Sequence, residues 1–289
     1  MKGIVLAGGT GSRLWPITRS VSKQLLPVYD KPMIYYPIST LMLAGIREIL
    51  IITTPHDQPQ FKALLGDGSE FGLFIKYAPQ FEPKGLAEAF IIGEDFLSGD
   101  SCLMILGDNI FHGVGLGRDI IREIPTSGAH IFTYEVSNPS DYGVLALNEN
   151  GFPTSITEKP AEFISNLAVT GLYFFDSEVS EIAKKVRPSD RGELEITSVI
   201  DEYLKSGKLT HTPLSRGAAW LDTGNPNSLN DAAAYVRIIE ERTGLKIACL
   251  EEIAYTNRWT TNEMLLKSIQ KLGSSNYGAY LMKVMKINR

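Results

Sequence analysis

The residues best placed to do chemistry are a glycine-rich turn, a few cations and two isolated carboxylates. Ile4-Val5-Leu6-Ala7 is a short apolar run that reads as a buried strand, and Gly8-Gly9-Thr10-Gly11-Ser12-Arg13 follows it. Glycine tolerates positive φ and lets backbone N–H groups come close to a ligand. Arg13 ends the loop and Lys23 lies ten residues beyond it, within Ser22-Lys23-Gln24-Leu25-Leu26-Pro27. Bare N–H groups beside two cations suit a polyphosphate, and open α/β sheets bind ligands at the C-terminal ends of their strands. The loop is not a dinucleotide fingerprint, because Leu14 stands where the third glycine belongs. It is not a Walker A loop either, since no Lys-Ser or Lys-Thr pair follows the glycines.

Asp108 follows the apolar run Cys102 to Leu106, and Asp222 follows Ala219-Trp220-Leu221. Either could be a turn residue. Together with a phosphate loop they suggest a Mg²⁺ site, because that ion needs only one or two carboxylates plus phosphate oxygens and water. Glu158-Lys159-Pro160 offers an acid and a base side by side. Pro160 biases Lys159 toward an extended backbone, which would point the two side chains to opposite sides. A surface turn is an equal reading of that segment. His56, His112, His130 and His211 form no metal-ligand spacing and read as surface or turn residues, and no nucleophile motif appears. The site is built from cations and carboxylates.

These residues need a frame. The 289 residues, 44% of them hydrophobic, can bury a sizeable core, and a net charge of -5 argues against a general nucleic-acid binder. Cys102 and Cys249 are too few for a disulfide framework, and Cys102 reads as a small buried hydrophobe. No run is long enough to span a bilayer, so a cytoplasmic protein without membrane contacts is expected.

Strands are expected at Glu48 to Thr53, Phe74 to Tyr77 and Ser101 to Leu106. Helices are expected over Lys31 to Ala44, Phe61 to Leu65 and Gly85 to Phe96. This alternation predicts an α/β fold with a mixed, mostly parallel sheet. Further strands are expected at Ala129 to Val136, Val144 to Leu147 and Leu172 to Phe175. Helices follow at Glu195 to Leu204, Leu229 to Arg242 and Asn262 to Leu272, with an amphipathic tail. The division expected is a catalytic domain over 1–228 and a helical segment over 229–289.

Several segments, in this order, resemble the sugar-nucleotide pyrophosphorylases. They are Leu6 to Leu14, Ser22 to Pro27, Tyr29 to Pro37, Leu106 to Phe111, Tyr142-Gly143-Val144 and Glu158-Lys159-Pro160. Val169 to Tyr173, Arg191 to Thr197 and Trp220 to Gly224 complete the series. The opening motif alone would specify only the nucleotidyltransferase superfamily, whereas the whole series is specific. The resemblance implies a Rossmann-like nucleotidyltransferase fold and Mg²⁺-dependent thymidylyl transfer from dTTP to glucose 1-phosphate. It also implies that 1–112 is the nucleotide-binding part and 113–228 the sugar-binding part of the catalytic domain. The products would be dTDP-glucose and pyrophosphate, opening a dTDP-deoxysugar route such as that to dTDP-rhamnose.

Carried over by position, the resemblance implies that Leu6, Gly8, Gly9 and Gly11 wrap the nucleotide while Gln80 and Gly85 read the pyrimidine edge. Arg13 and Lys23 would hold its phosphates and Lys159 the sugar phosphate. Asp108 and Asp222 would ligate Mg²⁺, and Tyr142, Gly143, Glu158 and Val169 would line the glucose pocket. It further implies a homotetramer inhibited by a dTDP-sugar at a second, inter-subunit site. His112 departs from the tyrosine usual in the segment assigned to that second site. Uridylyl- or cytidylyltransferases are the nearest alternatives. The Gln24 form of the Lys23 to Pro27 stretch favours thymidylyl transfer, since uridylyltransferases usually carry Glu there. A non-catalytic sugar-nucleotide sensor is the alternative of another class, and it should have lost Arg13, Lys23, Asp108 or Asp222.

Overall fold

The computed structural model describes residues 1–9 and 11–287; Thr10 of the glycine-rich turn and the last two residues of the helical segment lie outside the described residues. β1 (Lys2–Ala7) is the central strand. After it come a small ribbon, β2 (Pro27–Val28) and β3 (Lys31–Pro32), and helix α1 (Tyr35–Leu43). Then follow β4 (Glu48–Thr53), α2 (Gln58–Leu65), β5 (Phe74–Pro79), the short α3 (Glu88–Ile92) and α4 (Glu94–Leu97), and β6 (Cys102–Leu106). β7 (Asn109–His112) leads through α5 (Leu116–Glu123) to β8 (Ala129–Glu135), β9 (Gly143–Leu147), β10 (Pro153–Glu158) and β11 (Leu167–Phe175). α6 (Val179–Lys185), α7 (Ile196–Lys205), β12 (Leu209–Pro213) and β13 (Ala219–Asp222) complete the sheet region. The chain ends in α8 (Pro226–Thr243), α9 (Leu250–Thr256), α10 (Asn262–Leu272) and α11 (Asn276–Ile287).

The main sheet runs β10-β9-β11-β6-β1-β4-β5, with β8 joining β11 to β12. β1 is parallel to both β4 and β6, and β5 is parallel to β4. β11 is antiparallel to β6, β8 and β9. The expected mixed α/β sheet therefore forms, parallel around the glycine-rich turn and mostly antiparallel on the far side of β6, where only the β8–β12 pair is parallel among the described residues.

Alternation along β1 explains the two-sided core. Ile4 and Leu6 pack with Leu50, Ile52, Cys102 and Met104 on one face. Val5 and Ala7 pack with Ile38, Leu41, Ile51 and Ile105 on the other. Fully burying such a side chain contributes roughly 1.5–3 kcal/mol, so this strand is fixed by both faces.

Three local expectations change. The helix expected from Lys31 begins at Tyr35, because Lys31 and Pro32 pair with Val28 and Pro27 instead. Pro37 consequently sits in the first turn, where its missing N–H costs nothing. The helix expected over Gly85 to Phe96 starts at Glu88 and is divided at Gly93. Gly85, at φ +107, is held outside it against the backbone of Leu194, where a Cβ would come within 2.4 Å. His130 is not a surface residue: it lies buried in β8, its Nδ1 2.8 Å from Thr210 Oγ1.

The C-terminal helices dock on the ribbon. α8 is opened by a capping box in which Asn225 Oδ1 accepts from the N–H groups of Asn227 and Ser228, and the expected boundary at 228 falls in its first turn. Ala232 and Val236 of α8 pack with Val28, Met33, Tyr36 and Ile110. Lys31 reaches Glu240 at 2.9 Å, Lys246 reaches Glu240 at 3.1 Å, and Asp30 pairs with both lysines. No helix among the described residues is long and apolar enough to cross a membrane.

Candidate active site

Strand ends converge on a cleft of about 500 Å³. All of the site residues expected from sequence line it except Gly11 and Lys23. Gly11 shapes the turn, in the left-handed conformation at φ +61, with its carbonyl accepting from Thr18 Oγ1 at 2.7 Å. Lys23 is buried, and its ammonium donates to Asp108 Oδ2 at 2.6 Å.

The two carboxylates, far apart in sequence, are brought together by the ribbon of β7 and β13, in which Asn109 faces Asp222. Thr223 Oγ1 closes that ribbon by donating to the Asp108 carbonyl at 2.8 Å. Burial works against the charge of Asp108, but Lys23 and a hydrogen bond from Asn109 outweigh it and hold the carboxyl below its ordinary value. Asp222 lacks such support: burial and the neighbouring Asp108 charge push it up to about 6, against the pull of Lys23 and Arg13. Two crowded carboxylates in one wall are the arrangement a hard cation relieves. Among the described residues no three His, Cys, Asp or Glu side chains cluster as metal ligands, so a cation here would complete its shell with water and substrate oxygens.

Asn109 is a positioning residue that sequence reasoning passed over. Its Nδ2 donates to Asp108 Oδ1 at 3.0 Å and its Oδ1 accepts from Trp220 Nε1 at 2.6 Å. The amide is admitted only because position 171 is glycine, where a Cβ would lie 2.5 Å from Asn109 Oδ1. Gly171 falls at the register shift of β11 between Val169 and Tyr173, an irregularity of the kind that re-aims side chains beside sites.

The other wall comes from β9, β10 and the segment before α7. Gly143 faces Glu158 across β9 and β10, and a Cβ at Gly143 would lie 3.0 Å from Thr197 and 3.4 Å from Glu158. Its bareness opens space between Tyr142, Glu158 and Val169. Burial and Glu195 push the Glu158 carboxyl above its usual value, against Lys159 and Arg191. Lys159 is not extended as expected: it adopts φ +43, donating its N–H to the Tyr142 carbonyl at 2.9 Å. The chain must leave β10 there, and that hydrogen bond outweighs the preference imposed by Pro160. Glu158 and Lys159 thereby line the same cleft rather than opposite sides.

Arg191 is the cation that sequence reasoning quoted without a role. It lines the cleft and gathers Glu195 at 2.9 Å, Glu158 at 3.5 Å and Glu193 at 3.8 Å. Its signal in the sequence was an arginine within an acidic loop, which by itself reads as solvated charge.

This geometry has relatives. The nucleotidyl transferase family profile matches residues 2–237. A glucose-1-phosphate thymidylyltransferase of Neisseria meningitidis serogroup A is 53% identical over 287 residues, 99% of this chain and 100% of that protein. The chain belongs to this nucleotidyltransferase family. The enzyme of the same name from Mycobacterium tuberculosis H37Rv is 53% identical over 288 residues, covering the whole of both chains. A solved Bacillus anthracis structure assigned to that enzyme, in complex with sucrose, superposes with a TM-score of 0.76 at 41% identity, over 82% of this chain and 95% of its own.

Proposed function

We propose that the chain transfers a thymidylyl group from dTTP to α-D-glucose 1-phosphate, giving dTDP-glucose and pyrophosphate. The observation that carries this reading is the convergence of Arg13, Lys159, Arg191, Asp108 and Asp222 on one cleft, in a chain whose full-length relatives bear that activity in their names. Arg13, Lys23, Asp108 and Asp222 are all present, which speaks against a non-catalytic sensor. Gln24 lines the cleft beside Asp108, in keeping with the thymidylyl reading over the uridylyl one.

The chemistry needs charge more than proton transfer. A phosphate monoester has a second pKa of about 6, so the sugar phosphate oxygen attacks the α-phosphorus already ionised. The protein's task is to hold two polyanions in line while negative charge redistributes. Arg13 is assigned to the departing pyrophosphate, Lys23 to the α-phosphate and Lys159, with Arg191 beside it, to the sugar phosphate. Leu6, Gly8, Gly9 and Gly11 form the nucleotide wall, Gln80 and Gly85 the base pocket. Tyr142, Gly143, Glu158 and Val169 form the sugar wall. Removing one such electrostatic contact costs on the order of 10²–10³ in rate.

Asp108 and Asp222 fit a divalent cation, assigned here as Mg²⁺, because they supply hard oxygens whose mutual repulsion already raises Asp222. When bound, that ion supplies charge neutralisation to the phosphates. The family resemblance also supports residence in the cytoplasm, a homotetramer and a dTDP-sugar feedback ligand at its inter-subunit site. The division into 1–228 and 229–289 is kept as a proposal, supported by the small separate core in which Cys249, Leu265, Leu281 and Val284 pack together.

The test is pyrophosphate release from glucose 1-phosphate with dTTP, UTP, CTP and ATP in parallel, with and without Mg²⁺. Release with dTTP and Mg²⁺ is expected. No release with any nucleotide overturns the assignment in favour of the sensor.

A further inference from the structure

Gln80 directly follows β5 and is buried, with its side chain in the cleft wall next to Gly8. Its amide has two chemically distinct ends, one donating and one accepting. The end facing away from Gly8 meets the Glu88 carboxylate at 2.7 Å and the Gly85 carbonyl at 3.3 Å. Both partners only accept hydrogen bonds, so only the Nε2 amino group can face them, and both of its hydrogens are used. Oε1 is left pointing toward Gly8, where a Cβ would lie 2.4 Å away. A side chain at position 8 would cover that oxygen, and glycine leaves it open.

We infer that Glu88 is a positioning residue for base choice: with the Gly85 carbonyl it locks the Gln80 amide so that the cleft presents a pure acceptor to the nucleobase. This deepens the thymidylyltransferase reading and rests on it. An acceptor at that position suits the imide N3–H of thymine or uracil. Cytosine carries a lone pair on N3, which would oppose Oε1 and leave it unsatisfied. The lock therefore discriminates imide pyrimidines from cytosine, and it is indifferent to the methyl group that separates thymine from uracil. Glu88 itself is only half-buried at the start of α3, where its Oε2 holds the amide.

The experiment compares kcat/KM for dTTP, dUTP and dCTP in the wild type, Glu88→Leu and Glu88→Gln. Leu removes the acceptor and frees the amide to turn over. Gln can still offer its carbonyl oxygen to Gln80 Nε2. In Glu88→Leu the dTTP-over-dCTP ratio is expected to fall roughly 10–10²-fold, while the dTTP-over-dUTP ratio holds, because a polar site rejects through the group it leaves unpaired. Glu88→Gln is expected to keep most of the dCTP discrimination. A folded Glu88→Leu variant with the wild-type dTTP-over-dCTP ratio overturns the inference. Should that variant not fold, Glu88→Lys decides the same point, since an ammonium only donates and must turn the amide; an unchanged ratio there overturns it too. A wild type that releases no pyrophosphate with dTTP would instead bring down the underlying functional reading.

Discussion

The Lys23 ammonium and Asp108 Oδ2 lie 2.6 Å apart, with the lysine buried. A cation assigned to the α-phosphate and a carboxylate assigned to the metal are thus partners in one ion pair, and neither can be changed without exposing the other. Asp108→Asn is expected to lose at least about 10²-fold in Mg²⁺-dependent kcat. It should also lose on the order of 1–3 kcal/mol of stability, since Lys23 is left without its charged partner. Steady-state kinetics beside urea unfolding checks both. Near-normal turnover would remove Asp108 from the metal site.

Lys23→Ala separates binding from catalysis. If Lys23 acts at the α-phosphate in the transition state, kcat and kcat/KM fall together by about 10²–10³. A rise in KM with kcat preserved would make it a uniform binder of the triphosphate.

Asp222 gives the proposed cation site an expected pH dependence. Its carboxyl is pushed up to about 6, first by burial and then by Asp108, so it becomes protonated well above the usual carboxylate range. A cation must displace that proton. The apparent Kd for Mg²⁺, measured by calorimetry, is expected to weaken by up to about tenfold per pH unit below 6 and to be flat above 7. A flat profile down to pH 5 would count against Asp222 as a ligand.

His130 gives the fold an opposite acid limb. Burial lowers its pKa from 6.5 to about 4, against the pull of Glu123. The unfolded chain therefore binds a proton that the folded chain refuses, and stability is full above pH 6.5 and lost as pH falls toward 4. The loss amounts to about 3 kcal/mol by linkage. His130→Leu is expected to flatten that limb in urea unfolding between pH 6.5 and 4, and an unchanged slope would place the acid sensitivity elsewhere.

The quartet of Asp30, Lys31, Glu240 and Lys246 ties the C-terminal helices to the ribbon that leads from Lys23. Lys31 is buried, and Glu240 Oε1 also accepts from the Ile247 N–H at 2.9 Å. Lys31→Met is expected to cost about 3 kcal/mol, as when one partner of a buried pair is removed. Combined with Glu240→Leu it should recover part of that loss, giving an interaction energy on the order of 1–3 kcal/mol in a double-mutant cycle. Strict additivity would show that the helices dock through their apolar faces alone.

Strands proved the more legible elements where both faces are buried. The unbroken apolar run Ile49 to Ile52 marked the strand expected at Glu48 to Thr53, which forms β4 with those bounds. β7 and β13 were harder, being short, and β10 was harder because it is largely polar. Asn109 and Asp222 are in strands only because they pair with each other across more than a hundred residues, and Glu158 only because it pairs with Gly143 of β9. Pairing likewise hid the helix start at Tyr35, where the tight β2–β3 ribbon claims Lys31 and Pro32, and the turn at Lys159, whose N–H is taken by the Tyr142 carbonyl.

The sequence by itself determined the kind of chemistry. A glycine turn after β1, cations without a nucleophile and two carboxylates at the ends of apolar runs are matters of residue type and local spacing, which the chain carries wherever it goes. Only the tertiary structure decided which groups meet. Pairing of β7 with β13 puts Asp222 beside Asp108, and docking of Gly85 on Leu194 turns the Gln80 amide toward Glu88. Gly171 makes room for the asparagine that holds the Asp108 carboxylate. Those contacts link residues tens to more than a hundred positions apart, and hydrogen bonds at that separation leave no periodicity in sequence.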